Sequence, residues 1–242
     1  MNQDLTITRL DSPSGQARWY QGINKDGEAE WSYASVTSKI DDSFPKGYYL
    51  MQWAKEAGIA AQGIFEKAGE EGTRVHIAID DLLHGAKLNI TDMNDREKKC
   101  LMSFVDFLDE YKPKILKAEH MIVNHKHKYA GTLDLVCNID GQDYVVDYKT
   151  SKSVYDSHKL QVAAYLHAAE GELNAPKPAI LHLGNPKLKK ATFSFIEFDQ
   201  EQYWEGFKLV NQMWDFKNPN AQPKVTEYPD MVELPKEFII NL

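Results

Sequence analysis

Cysteine is nearly missing from this chain. Only Cys100 and Cys137 occur among 242 residues; two such cysteines support no disulfide framework and have no metal-binding spacing. A reducing, cytoplasmic setting is expected. No apolar run reaches the roughly 18 residues that a membrane span needs, so no membrane partner is expected. The opening stretch, MNQDLTITRLDSPSG, lacks both a basic segment ahead of an apolar core and an Arg-rich amphipathic pattern; secretory and organellar targeting are not expected. Positive charge is also short. Lys and Arg number 28 against 36 Asp and Glu, a formal net charge of −8, which argues against a protein that coats nucleic acid without specificity. A local basic groove remains compatible with that total, because a binding site responds to the charges near it.

What is present suits a globular protein with a large core. Hydrophobic residues make up 43% and charged residues 26%, ordinary values that favour one sizeable domain over a disordered chain. Residues 1–34 read as a loosely ordered leader in which Trp19 and Tyr20 dock. Residues 35–112 read as mainly helical. Ser35-Val36-Thr37-Ser38 offers helix caps, and Tyr48 to Ala68 reads as helix with Gly58 and Gly63 as weak points. In the next helix Thr73 is the expected N-cap, Val75, Ile79, Leu82 and Leu83 form the apolar stripe, and Gly85 marks the stop. His76 and Asp80 are four apart there; on periodicity alone His76 reads as a partly buried histidine bonded to backbone or to Asp80. Thr91 and Asp92 are expected to open a further helix that ends before Pro113.

Residues 113–216 read as an α/β core. Lys114 to Val123 is expected as a strand, with Glu119 on the face of Met121 and Val123. NHKHKY then returns the chain to the strand beginning near Ala130. A helix runs from about Val154 to Gly171, PKPAILHLG and FSFIEF read as paired strands around the NPKLKK turn, and residues 199–216 read as an amphipathic helix. The order predicts an α/β sandwich around one mixed sheet. Residues 217–242, with several prolines, read as a packed or partly disordered extension.

The stretch AGTLDLVCNIDGQDYVVDYKT carries the most information. Asp140-Gly141 suits a type I′ turn between two strands. A two-residue loop pairs Ile139 with Gln142, which puts Asp134 opposite Asp147 and Thr132 opposite Lys149. Asp134, Asp147 and Lys149 then share one face. Leu133, Leu135, Cys137, Ile139, Tyr144, Val146 and Tyr148 share the other. Opposed carboxylates repel, so a cation is expected between them. Hard divalent ions such as Mg²⁺ or Mn²⁺ prefer such oxygens, with the Tyr148 carbonyl as a further ligand. Metals held there would activate water and neutralise phosphodiester charge, with Lys149 adding an ammonium. Asp-x-Lys by itself carries little weight; the register and the helix that follows give it specificity. Basic side chains that could reach a ligand are Lys126 and Lys128, then Lys149, Lys152 and Lys159, then Lys187, Lys189 and Lys190.

Taken in order, Gly131-Thr132-Leu133-Asp134, Asp147-Tyr148-Lys149 and Gln161-Val162-Ala163-Ala164-Tyr165 resemble the PD-(D/E)XK nuclease superfamily. The likeness is closest to the branch of the RecB nuclease domain and lambda exonuclease, with its GxxD, D/E-x-K and QxxxY elements. Gly72-Thr73-Arg74-Val75-His76 matches that branch's GTxxH helix, and Ser35-Val36-Thr37 is similar to a stretch in the mitochondrial genome maintenance exonuclease and its phage relatives. The resemblance implies one restriction-endonuclease-like domain across residues 1–242 and a metal-dependent DNA nuclease with one or two Mg²⁺ or Mn²⁺ ions. It implies Asp134 and Asp147 as metal ligands, Lys149 as the catalytic lysine, His76 as a further ligand or site residue, and Gln161 and Tyr165 lining the site and steadying the DNA or the lysine. Of the basic side chains, Lys128 and Lys152 are the further candidates for binding DNA. Glu119 falls where several members have an acid. Relatives with an iron–sulfur cluster use four cysteines; with two, no cluster is expected. The missing transit peptide favours a bacterial cell or phage-infected host over a mitochondrion.

The leading expectation is an exonuclease acting in recombination, repair or phage DNA processing. A structure-specific endonuclease and a decayed DNA-binding module are the alternatives, and the intact Asp134, Asp147 and Lys149 set speaks against decay. Besides DNA, candidate partners are an encircling homo-oligomer and a recombination or single-strand-binding protein.

Overall fold

Asp140 and Gly141 take positive φ of 49° and 88°, as the mirror-image turn requires. They join two strands, Tyr129–Ile139 and Gln142–Lys149, whose pairing runs from Ile139↔Gln142 to Leu135↔Val146. The computed structural model describes residues 5–10, 17–169, 173, 176–184 and 192–224. Lys187, Lys189, Lys190 and the part of the extension from 225 onward lie outside them.

The expected leader is partly a sheet. Strands β1 (Thr6–Leu10), β2 (Trp19–Ile23) and β3 (Ala29–Ala34) pair antiparallel in that order. Polar composition hid them, because this small sheet has little core of its own and is fastened to the rest of the molecule. Trp19 packs edge-on against Trp214 at 6.1 Å, and Ser35 bridges to Ala130.

The helices α1 (Val36–Ser43), α2 (Tyr48–Ala57), α3 (Ala60–Leu83) and α4 (Asp95–Tyr111) follow. Ser35 caps α1 as its sequence suggested, its side chain accepting from the Ser38 N–H. Gly58, at φ 56°, separates α2 from α3. Helix α3 starts earlier than Thr73. It runs unbroken through Gly63, Gly69 and Gly72, and the Thr73 hydroxyl donates back to the Gly69 carbonyl instead of capping. Likewise α4 opens at Asn94, which forms a capping box with Glu97, and not at Thr91 or Asp92.

The main sheet has the order β4-β5-β6-β7-β8, with β4 (Lys114–Asn124), β5 and β6 (the two strands of the turn), β7 (Lys177–Leu183) and β8 (Phe193–Glu197). Only the β6–β7 pair is parallel, and α5 (Asp156–Ala168) makes that crossover. The last helix, α6, spans Gln200–Lys217. The result is the mixed sheet expected, covered on both faces. Helices α3 and α4 lie over Leu135, Cys137, Tyr144, Val146 and Tyr148. Helices α1, α5 and α6 lie over Leu133, Val136, Val145 and Ile180.

The expected division into one apolar and one charged face therefore needs correcting. Both faces are core, and Leu133 belongs with Val136 and not with Leu135. Strict alternation fails at residues 133–135, next to the site. No helix among the described residues is long and apolar enough to cross a membrane.

Candidate active site

Regular pairing of β5 with β6 stops one residue short of the expected Asp134–Asp147 pair. From there a side chain replaces the main-chain ladder: Asp134 Oδ2 accepts the Tyr148 N–H at 2.7 Å. Asp134 and Asp147 thus lie just beyond the last regular pair, where the two strands part, and both are buried.

On the other side of β5, the β4 pairing skips Glu119, which lies between Ala118↔Leu135 and His120↔Leu133 and so faces Asp134. Glu119 has φ 44°. A left-handed backbone at a residue other than glycine costs roughly 1–3 kcal/mol and marks a place where surrounding structure overrides local preference. The register of the flanking pairs puts Glu119 opposite Asp134, and its carboxyl groups with the His76 imidazole and the Asp134 carboxyl as a candidate ligand set. His76 completes the group from α3, its Nδ1 3.4 Å from Asp134 Oδ1. One ligand atom each from His76, Glu119 and Asp134 lies within 4.8 Å of the others. Asp80 takes no part in holding His76; it pairs with His84, Nδ1 to Oδ1 at 3.2 Å.

Asp147 is outside that trio and faces a different partner. Its Oδ2 is 2.5 Å from Lys149 Nζ, yet it has no donor in hydrogen-bonding orientation. Lys149 Nζ donates to Gln161 Oε1 at 2.9 Å. The Gln161 amide nitrogen donates to Thr37 Oγ1 at 3.1 Å and to the Tyr165 hydroxyl at 2.8 Å. With both N–H groups used, its oxygen has to point at the lysine. Thr37 carried no assigned role in the sequence; its signal was the stretch it belongs to. A second unassigned contact, Tyr20 OH to Thr132 Oγ1 at 2.9 Å, ties the small sheet to the strand carrying Asp134.

The remaining residues fall elsewhere. Lys152 is exposed in the loop after β6. Lys128 is in the β4–β5 turn, six positions from Asp134 and about 20 Å away along the strand. Lys159 binds the Tyr203 hydroxyl at 2.9 Å, so of its cluster only Lys149 reaches the acids. Tyr148 enters the site as an N–H donor and through its ring, 5.5 Å from that of His76.

Gly131, the first residue of the GxxD stretch, has a steric reason. A Cβ there would come within 2.5 Å of Tyr165 Cε1. Gly131→Ala should therefore push the ring that anchors Gln161. A loss of about 1–3 kcal/mol in denaturant unfolding is expected, accompanied by reduced activity.

Electrostatics separate the acids. Burial raises the Asp134 pKa, but His76, Lys149 and the Tyr148 N–H outweigh it and hold the carboxyl below its ordinary range. Burial, opposed by Lys149 and reinforced by Asp134, lifts Asp147 above it. Glu119, pushed by desolvation of its carboxyl and by Asp134, rises to about 7. For His76 burial acts downward, and the Asp134 charge more than reverses it.

A hard divalent cation fits this donor set: two carboxylates and an imidazole close together, with an incompletely satisfied buried carboxylate oxygen beside them. The pKa shifts give a test. Glu119, Asp147 and His76 all hold protons more tightly folded than unfolded, so their stabilising contribution is complete at low pH and is lost as pH rises through the carboxylate range to about 7 and above. Asp134 has the opposite sign, and its contribution is already complete above the ordinary carboxylate pKa. A cation competes with these protons. The rise in melting temperature on adding Mn²⁺ or Mg²⁺ should therefore be larger at about pH 7.5 than at about pH 5; equal increments would show that these groups do not bind it.

Residues 73–230 match the family model of the PD-(D/E)XK nuclease superfamily. Among solved structures the chain is similar to a candidate exonuclease from Eubacterium rectale, 13% identical over 82% of this chain and 81% of that one, with a TM-score of 0.40. It is also similar to the protein SSO0001, 14% identical over 76% of this chain and 84% of that one, with a TM-score of 0.34. Neither likeness bears on activity. No curated protein matches.

Proposed function

Since the chain belongs to the PD-(D/E)XK nuclease superfamily, we propose that it is a metal-dependent deoxyribonuclease that removes nucleotides from DNA ends, in recombination, repair or phage DNA processing. One observation carries the nuclease chemistry: His76, Glu119 and Asp134 converge where β5 parts from the end of β6 that carries Asp147 and Lys149. The end-directed activity rests on the GTxxH, GxxD, D-x-K and QxxxY set of motifs.

Asp134, Glu119 and His76, with the Asp147 carboxylate beside them, would hold Mg²⁺ or Mn²⁺, which would supply Lewis acidity toward the scissile phosphodiester. Lys149 does what a carboxylate cluster cannot: it places positive charge where a phosphate gains negative charge. Gln161 fixes that ammonium, and Thr37 and Tyr165 fix Gln161. A lysine on a four-carbon stem has many rotamers, so this support reduces the cost of placing it. The floor of the site, made by Tyr148 and the β5–β6 core, buries Asp134 and Asp147, so water screens those two charges little.

The test is digestion of end-labelled linear DNA, single- and double-stranded, and of closed circles, with Mg²⁺, Mn²⁺ or EDTA. Metal-dependent loss of linear molecules with circles intact is expected. Cleavage of circles would make the protein an endonuclease, and inertness toward every substrate with metal bound would make it a binding module.

A further inference from the structure

Resting on the nuclease reading above, we propose that Arg96 is a positioning residue: it clamps the helix that carries His76 to the strand end that carries Lys149.

Arg96 lies in the first turn of α4 and touches neither the acids nor the lysine. Its guanidinium has two separate partners. Nη1 donates to Glu71 Oε2 at 3.0 Å, and Nη2 donates to the Thr150 carbonyl at 2.8 Å. Glu71 is on α3, five residues before His76, about 7.5 Å along the helix. Thr150 directly follows Lys149. A single planar fork therefore spans the two elements whose separation sets the distance from His76 to the lysine side of the site. Its position is itself fixed: Asn94 Nδ2 donates to Glu71 Oε1 at 3.1 Å, and Asn94 caps α4 through the Arg96 and Glu97 N–H groups. The packing at this point is close, since a Cβ on Gly72 would lie 3.3 Å from Thr150 Oγ1. A nearby ion pair provides the contrast. Arg74 binds Glu97 at 2.6 Å and joins the same two helices, but has no bond to the strand end.

A purely structural role and a positioning role give different results in Arg96→Gln, Arg96→Lys and Arg74→Gln. The readouts are kcat and KM on labelled DNA, Mn²⁺ affinity by calorimetry, and hydrogen exchange of peptides 70–77 and 149–153 in EDTA. Arg96→Gln should lower kcat and Mn²⁺ affinity about tenfold each, leave KM within about twofold, and speed exchange in both peptides. Arg96→Lys, able to satisfy one partner at a time, should recover part of each loss. Arg74→Gln should lower the melting temperature yet leave kcat and Mn²⁺ affinity unchanged. Wild-type kcat, affinity and exchange in Arg96→Gln would overturn the proposal, as would an equal loss of kcat in Arg74→Gln. A wild-type protein that neither binds Mn²⁺ nor cuts DNA would instead defeat the nuclease reading, and the exchange contrast would still decide the clamp.

Discussion

Asp134→Asn should reduce metal-dependent cleavage by about a thousandfold or more while leaving a folded protein. The estimate follows from the role of the charge: metal-centred stabilisation contributes several kcal/mol to such reactions, and each 1.36 kcal/mol is about a factor of ten in rate. Asparagine is the informative replacement because Asp134 has two functions. One oxygen accepts the Tyr148 N–H, and an amide oxygen can keep that bond. The other oxygen faces His76 and Glu119, and there the negative charge is lost. Asp134→Ala removes both, leaving a buried N–H unpaired at about 1–3 kcal/mol. Alanine should therefore melt lower than asparagine in EDTA, with both equally inactive. Wild-type rates in either variant would rule out the metal site described.

Lys149→Met should lower kcat by about 100- to 1000-fold, the usual effect of removing one preorganised stabiliser of transition-state charge. KM should change much less, because the ammonium acts on charge that develops during the reaction. Methionine keeps the apolar stem, so packing is nearly preserved. The variant also leaves Asp147 buried without its counter-ion. In EDTA that raises the cost of ionising Asp147, and added metal should stabilise Lys149→Met more than it stabilises the wild type. An unchanged kcat on single-turnover measurement would show that the lysine serves only to neutralise Asp147.

Local sequence rules carried the reading furthest where they were unopposed. The Asp140-Gly141 turn fixed its register because only a few residue types tolerate its backbone, and α4, α5 and α6 followed from periodicity, although α4 is capped by Asn94 and not by the expected Thr91 or Asp92. The failures occurred where tertiary contacts overruled local preference. Thr73 resembled a cap, yet glycines at 63, 69 and 72 stayed helical once α3 packed on the sheet and α4. The small N-terminal sheet was missed because its stability depends on Trp214 and Ala130, far away in the chain. The left-handed φ of Glu119 was not foreseen, because it leaves no mark on its neighbours in sequence. Alternation is the least reliable rule beside a cluster of charges, as Leu133 shows.

The bond from Gln161 to Thr37 joins residues 124 positions apart, and that distance imposes an order in time. Long closures come late in folding, since their entropic cost precedes their reward. During synthesis His76, Glu119, Asp134 and Asp147 all leave the ribosome before Gln161. A nascent chain at that stage holds its acids without the amide that aims the lysine. On the proposed mechanism, chemistry would therefore wait for α5 to dock, and the chain would gain nuclease activity only after most of it has been made.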